Sequence, residues 1–143
     1  MEEIEIFTDG ACRGNPGLGG WGALIRSNGQ ERSLWGGERD TTNNRMEMMA
    51  AIRALESISK NSSVIITTDS NYLKDGITQW LEGWKRKGWK TASKKPVKNK
   101  DLWLLLDELS QFHDITWSWV KGHSGHRENE LADLLANKGI DEL

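Results

Sequence analysis

Residues 3–37 leave this chain little freedom at the level of fold, because they carry three strand patterns in a row with no helical pattern between them. Glu3, Ile4, Glu5, Ile6, Phe7, Thr8 and Asp9 alternate in polarity and stop at Gly10, the period of a strand with one buried face. Gly and Pro punctuation follows across residues 14–20, GNPGLGG. WGALIRS and ERSLWGG then flank Asn28 and Gly29, a pair that accepts positive φ and suits a two-residue hairpin. Strands joined this closely pair antiparallel, so the chain opens as a meander.

The period then changes. Residues 43–59 are rich in Met, Ala, Leu and Glu with no Gly or Pro, and Thr41 or Thr42 stands ready as a cap, which predicts a helix. The β-branched run VIITT at 64–68 predicts a fourth, interior strand reached by a helical crossover. Residues 70–84 read as a helix interrupted near Gly76, and 100–112 as an amphipathic helix with Asp101 in its first turn. ITWSWV at 115–120 reads as a fifth strand, and a last helix spans about 127–138, ended by Gly139. The order is βββαβααβα, an α/β chain in one domain over residues 1–143, with no repeat or linker.

Size and composition agree with one compact core. A chain of 143 residues is expected to bury ~68% of its unfolded surface. Mean hydropathy is −0.64, no apolar run approaches the length of a span, and the acidic opening MEEIEIFTDG lacks the pattern of a signal peptide. The expectation is a cytoplasmic protein with no membrane partner. Cys12 is the single cysteine, which excludes an internal disulfide and a cysteine-based zinc cage.

The net charge of −2 hides an asymmetry. Between Lys85 and Lys100 stand 8 of the 19 basic residues and no acid, leaving 11 basic against 21 acidic elsewhere. A basic segment on an acidic body suits a polyanion held at one place, and it also suits a solvated loop. Trp80, Trp84 and Trp89 fall in or just before that segment, an interleaving that favours nucleic acid.

Four acids occupy places with chemical interest. Asp9 closes a strand pattern before Gly10, where an Asx turn is the plain alternative. Asp69 ends VIITT at the carboxyl end of an interior strand, where ligands gather in α/β sheets, although it also reads as a helix cap. Glu47 shares a helix stripe with Ala51, Ala54, Leu55 and Ile58, so a charge faces the core and needs a cation or donors. Asp133 lies off the face of Leu131, Leu134 and Leu135 and by itself reads as a solvated acid. Together these oxygen ligands suit Mg²⁺, with Mn²⁺ as a substitute, and paired ions of that kind promote phosphodiester hydrolysis. His123 and His126, in the Gly-containing VKGHSGH, suit proton transfer near neutral pH or loop hydrogen bonding. With only His113 as a third imidazole, a zinc site is disfavoured.

Four blocks then carry a resemblance over nearly the whole chain: IFTDGACRGNPGLGGWGA, TTNNRMEMMAAIRALE, TTDSNYLKDGITQWLEGWKRKGWKTASKKPVKNKDLW and WVKGHSGHRENELAD. In this order they resemble ribonuclease H type 1, and within it the bacterial ribonuclease HI proteins. The resemblance implies the ribonuclease H-like fold, a five-stranded mixed sheet, three antiparallel strands then two parallel, with helices on both faces. It implies an endoribonuclease that hydrolyses the RNA strand of RNA–DNA hybrids with two metal ions and leaves 5′-phosphate and 3′-hydroxyl ends, acting as a monomer. Asp9, Glu47, Asp69 and Asp133 match the family's metal-binding carboxylates, and His123 matches its proton-transferring histidine.

The same resemblance implies that Cys12, Asn15, Asn43, Asn44 and Asn71 meet the RNA strand, where 2′-hydroxyls distinguish RNA from DNA. Asn71 stands where similar bacterial proteins often have Gln. Thr42 matches a DNA-phosphate contact. Trp80, Trp84, Lys85, Arg86, Lys87, Trp89, Lys94 and Lys95 match the DNA-strand groove and a protruding basic handle at about 80–100. The competing reading is a module of the same fold that binds hybrid or double-stranded RNA without cutting. Loss of any of the four acids would favour that module, and all four are present.

Overall fold

The computed structural model describes residues 3–121 and 126–143. His123 lies outside the described residues. The elements are β1 (Glu3–Arg13), β2 (Gly17–Ser27), β3 (Gln30–Thr41), α1 (Asn43–Glu56), β4 (Ser63–Thr68), α2 (Asn71–Asp75), a π-helical segment (Gly76–Trp80), α3 (Leu81–Arg86), α4 (Lys100–Phe112), β5 (Asp114–Trp119) and α5 (Arg127–Asp141). Among the described residues no helix is long and apolar enough to cross a membrane.

One five-stranded sheet runs β3-β2-β1-β4-β5. β1 pairs antiparallel with β2, and β2 with β3, while β4 lies parallel to β1 and β5 parallel to β4. The expected mixed sheet is present, with β1 at its centre. Asn28 (φ 52°) and Gly29 (φ 76°) make the β2–β3 turn with positive φ at both positions, the geometry whose twist matches the strands.

Alternation divides the sheet into two faces. Ile4, Ile6, Ala23, Ile25, Val64 and Ile66 belong to one buried cluster with Ala51, Ile52 and Leu55 of α1 and Leu102, Trp103 and Leu106 of α4. On the other face α5 covers β2 and β3. A side chain at Gly20 or Gly22 would run into the backbone of Ala136 or Ala132, and one at Gly139 would meet Gly36. Glycines facing a small-residue helix let backbones approach, so α5 packs through Ala132, Ala136, Gly139 and Ile140 while Leu134 stays 64% exposed.

That packing corrects two expectations. Gly139 does not end the last helix but sits inside it at its closest approach to β3. The leucines do not mark its buried face either, since Leu131 and Leu135 are half-buried and Leu134 is exposed, while Ala132, Ala136, Gly139 and Ile140 are buried against the sheet. A third correction concerns β1, which continues beyond Asp9 as Gly10 to Arg13 pair with Leu18 to Trp21. Thr42, not Thr41, caps α1, its hydroxyl accepting from Arg45 N–H at 3.2 Å. The interruption at Gly76 is a π-helical segment, and Gly76 is required there because a Cβ would lie in the Trp103 ring.

Candidate active site

The acids come together where two kinds of pairing part company. β1 and β4 run parallel and their register ends at Phe7 and Thr67. Two residues further along each chain lie Asp9 and Asp69. β1 keeps going because β2 still holds it, so Asp9 sits within a strand rather than on a loose end, 3% exposed.

Glu47 arrives from α1. Gly10 is the residue that permits it, since any Cβ at Gly10 would clash with the Glu47 backbone. Gly10 N–H donates to Glu47 Oε1 at 3.0 Å, while Glu47 Oε2 is buried with no hydrogen-bond partner among the described residues. Each of Asp9, Glu47 and Asp69 offers an oxygen within 4.8 Å of the others. Desolvation, then the carboxylates of Asp9 and Asp69, hold the Glu47 carboxyl well above the usual carboxylate range. Three acids held this close repel one another, and a cation accommodated between them removes the repulsion. The unpartnered Oε2 and the all-oxygen donor set therefore fit a hard divalent ion.

Asp133 of α5 lines the same cavity, of about 370 Å³, with Asn43, Asn44, Ser70, Asn71 and Tyr72, but stands outside the tight group of three. Asn137 Nδ2 donates to the Asp133 backbone carbonyl at 3.0 Å. The two arginines near Glu47 are engaged elsewhere, Arg45 with Asp101 at 2.7 Å and Arg53 with Glu56. His113 is buried and its Nδ1 accepts from Ser62 N–H at 3.2 Å, a packing role at the start of β5.

The other sequence-predicted residues fall into two groups around this cavity. Asn43, Asn44 and Asn71 line it. Asn15 and Cys12 brace its approach: Asn15 Oδ1 accepts from Asn43 N–H at 3.1 Å, and Cys12 Sγ donates to Gly14 O. Thr42 spends its oxygen on the α1 cap and keeps its O–H as a donor. The second group lies along an apolar groove of about 350 Å³ lined by Trp80, Trp84, Tyr72, Thr91, Val97 and Lys98. Trp89 lies 6.4 Å from Trp84, ring to ring, at the start of a chain reversal closed by the pairing of Lys90 with Pro96. Lys85 is tied to Asp107 at 3.2 Å, whereas Arg86, Lys87, Lys94 and Lys95 are exposed and make no ion pair among the described residues.

Tyr72 is a residue that sequence reasoning missed. It lines both the acid cavity and the groove, and its hydroxyl accepts from Asn99 Nδ2 at 3.0 Å and Trp103 Nε1 at 3.2 Å. Its place as the one tyrosine, directly after Asn71, was the available signal.

Comparison with known proteins agrees with this geometry. The family model described as RNase H matches residues 1–141. A protein of Halorhodospira halophila named Ribonuclease H is 65% identical over 140 residues, covering 98% of this chain and 94% of that one. LC9-RNase H1, a type 1 RNase H with the type 2 active-site motif, superposes with a TM-score of 0.89 at 34% identity, covering 99% of this chain and 73% of that one. LC11-RNase H1, solved in complex with an RNA/DNA hybrid, shares the fold with a TM-score of 0.71 at 24% identity, covering 97% of each chain.

Proposed function

The chain belongs to the ribonuclease H family and is a metal-dependent nuclease, and from that premise we propose that it cuts the RNA strand of RNA–DNA hybrids endonucleolytically, leaving 5′-phosphate and 3′-hydroxyl ends. Asp9, Glu47, Asp69 and Asp133 would hold two Mg²⁺ ions, or Mn²⁺ in their place. The observation that carries this reading is the group of three acids within 4.8 Å that leaves Glu47 Oε2 buried and unpartnered. Bound there, divalent ions supply an activated water and neutralise charge at the phosphate.

The chain's own residues do the rest. The Gly10 N–H fixes the Glu47 carboxylate, so the group is organised before substrate arrives. Asn43, Asn44 and Asn71 offer amide donors and acceptors to 2′-hydroxyls and base edges beside the acids, with Cys12 and Asn15 bracing that wall. Thr42 presents its O–H to a DNA phosphate. Trp80 and Trp84 give the DNA strand an apolar floor, and Trp89 with Lys85, Arg86, Lys87, Lys94 and Lys95 forms a handle on its backbone. His123 moves a proton during turnover. The chain acts as one domain, a monomer in the cytoplasm.

The test is cleavage of end-labelled RNA presented as an RNA–DNA hybrid, an RNA duplex and a single strand, with Mg²⁺ or chelator, by wild type and Asp9→Asn. Cutting confined to the hybrid, to metal and to wild type is the expected result. Retention of the hybrid without cutting under either metal overturns it in favour of a binding module.

A further inference from the structure

Building on that reading, we propose that Lys74 and Lys121 grip an RNA-strand phosphate next to the one that is cut, in a second cavity adjoining the acid cavity at Asp69. β4 and β5 are parallel neighbours that end together, Thr68 beside Trp119, with Val120 N–H donating to Thr68 O at 3.0 Å. The carboxyl ends of adjacent parallel strands leave a crevice where ligands gather in α/β sheets. Here that crevice is about 310 Å³ and shares Asp69, Ser70 and Asn71 with the acid cavity.

Its charge is opposite to that of its neighbour. Asp69 is the single acid among its lining residues, and Lys74 and Lys121 line it as well. Both lysines are exposed and neither makes an ion pair among the described residues, unlike Lys85, which Asp107 holds. Two ammonium groups on one small crevice call for an anion, and an ammonium recognises phosphate as a point charge.

The proposed substrate supplies that anion at the right place. A strand with one phosphate at the acids continues past Asp69, and its next phosphate meets the lysines. The acid cavity by itself repels a polyanion, so cations directly beside it offset that repulsion where the strand must lie. Trp119, also on the wall, offers an apolar face to a sugar or base. Lys74 on a short helix and Lys121 after a strand read in sequence only as surface charges, and their meeting needs the β4–β5 pairing.

The experiment compares wild type, Lys74→Gln, Lys121→Gln, the double Gln variant and the double Arg variant on one hybrid across a salt series. It measures cleavage with Mg²⁺ and binding by fluorescence anisotropy in chelator. Expected is a roughly 10-fold rise in KM and Kd for the double Gln variant, larger than any fall in kcat, with the slope of log Kd on log salt reduced by about 1. The Arg variant restores both. A chimeric strand with ribonucleotides at the cut and a neutral methylphosphonate beside it adds a positional readout: it weakens wild type at one flanking position and leaves the Gln variant unaffected. Equal sensitivity of both proteins to the methylphosphonate, or an unchanged Kd and slope, overturns the inference while cleavage by wild type keeps the ribonuclease reading. No cleavage of the hybrid by wild type removes both.

Discussion

The acid cavity and the basic segment at 85–100 concentrate charge in opposite ways. Asp9 and Glu47 are 3% and 5% exposed, held by a central strand and a packed helix, with one carboxylate oxygen left unpartnered. Arg86 and Lys87 stand in water at the end of α3, and Lys94 and Lys95 on the short chain reversal that follows. Like charges are costly to hold together where water is excluded and nearly free where it is not. The difference teaches that one region is organised so that a bound cation would relieve it, while the other, on the reading proposed above, would only raise the local concentration of a polyanion.

Breaking the first region has the largest expected effect. Asp9→Asn or Asp69→Asn lowers kcat on a hybrid by about 10³ or more, about 4 kcal/mol of barrier, with hybrid binding in chelator retained. Single-turnover cleavage beside anisotropy checks the split, and a fall in binding equal to the fall in rate would place these acids in affinity rather than chemistry.

Next comes the junction between the two regions. Gly76→Ala puts a Cβ into the Trp103 ring, whose Nε1–H holds Tyr72 between cavity and groove. The overpacking costs about 1–3 kcal/mol against the helical preference for Ala, measured as a drop in urea midpoint. An unchanged midpoint would mean that the π-helical turn relaxes freely.

Metal sharpens the contrast further. Mg²⁺ at about ten times its Kd stabilises the native state by ~1.4 kcal/mol, a Tm rise of about 4 °C. Glu47→Gln melts above wild type in chelator, because the buried repulsion is relieved, and gains less from Mg²⁺. Identical melts of the two proteins under both conditions would show that electrostatic crowding in the cavity is negligible.

The smallest effect belongs to the exposed charges. Neutralising Lys85, Arg86, Lys87, Lys94 and Lys95 together raises KM about 5-fold, near 1 kcal/mol, and flattens its salt dependence by about 0.9 for each phosphate no longer neutralised. Lys85 contributes least because Asp107 already compensates it. A salt slope equal to that of wild type would show this segment to be a solvated loop.

Much of the fold was legible in residues 3–37, where turn chemistry and alternation are local, and in α4, whose bounds match the amphipathic pattern at 100–112. Legibility fell where a neighbour overrode the pattern. β1 runs past Gly10 because β2 pairs with it, and α5 continues through Gly139 because β3 lies against it. Within the candidate site, Glu47 declared itself as a charge on an apolar stripe, whereas Asp133 looked like any solvated acid. Lys74, Lys121 and Trp119 gave no signal that placed them at the site, and Tyr72 gave only its place as the one tyrosine beside Asn71, since nothing in their local sequence says which cavity they line.

The sequence by itself determined the elements, their order, the residue types available for metal and phosphate chemistry, and the family to which they belong. Those properties depend on side chains a few positions apart, where periodicity, capping and turn preferences act. Only the tertiary structure decided that Asp9, Glu47 and Asp69, from a strand, a helix and a strand end, lie within 4.8 Å, and that a lysine-lined crevice opens beside them. A hydrophobic period specifies which face is buried but not which element covers it. Glycines such as Gly10 against Glu47 and Gly20 against Ala136 admit the packing that is adopted, since a Cβ at either position would run into the facing backbone.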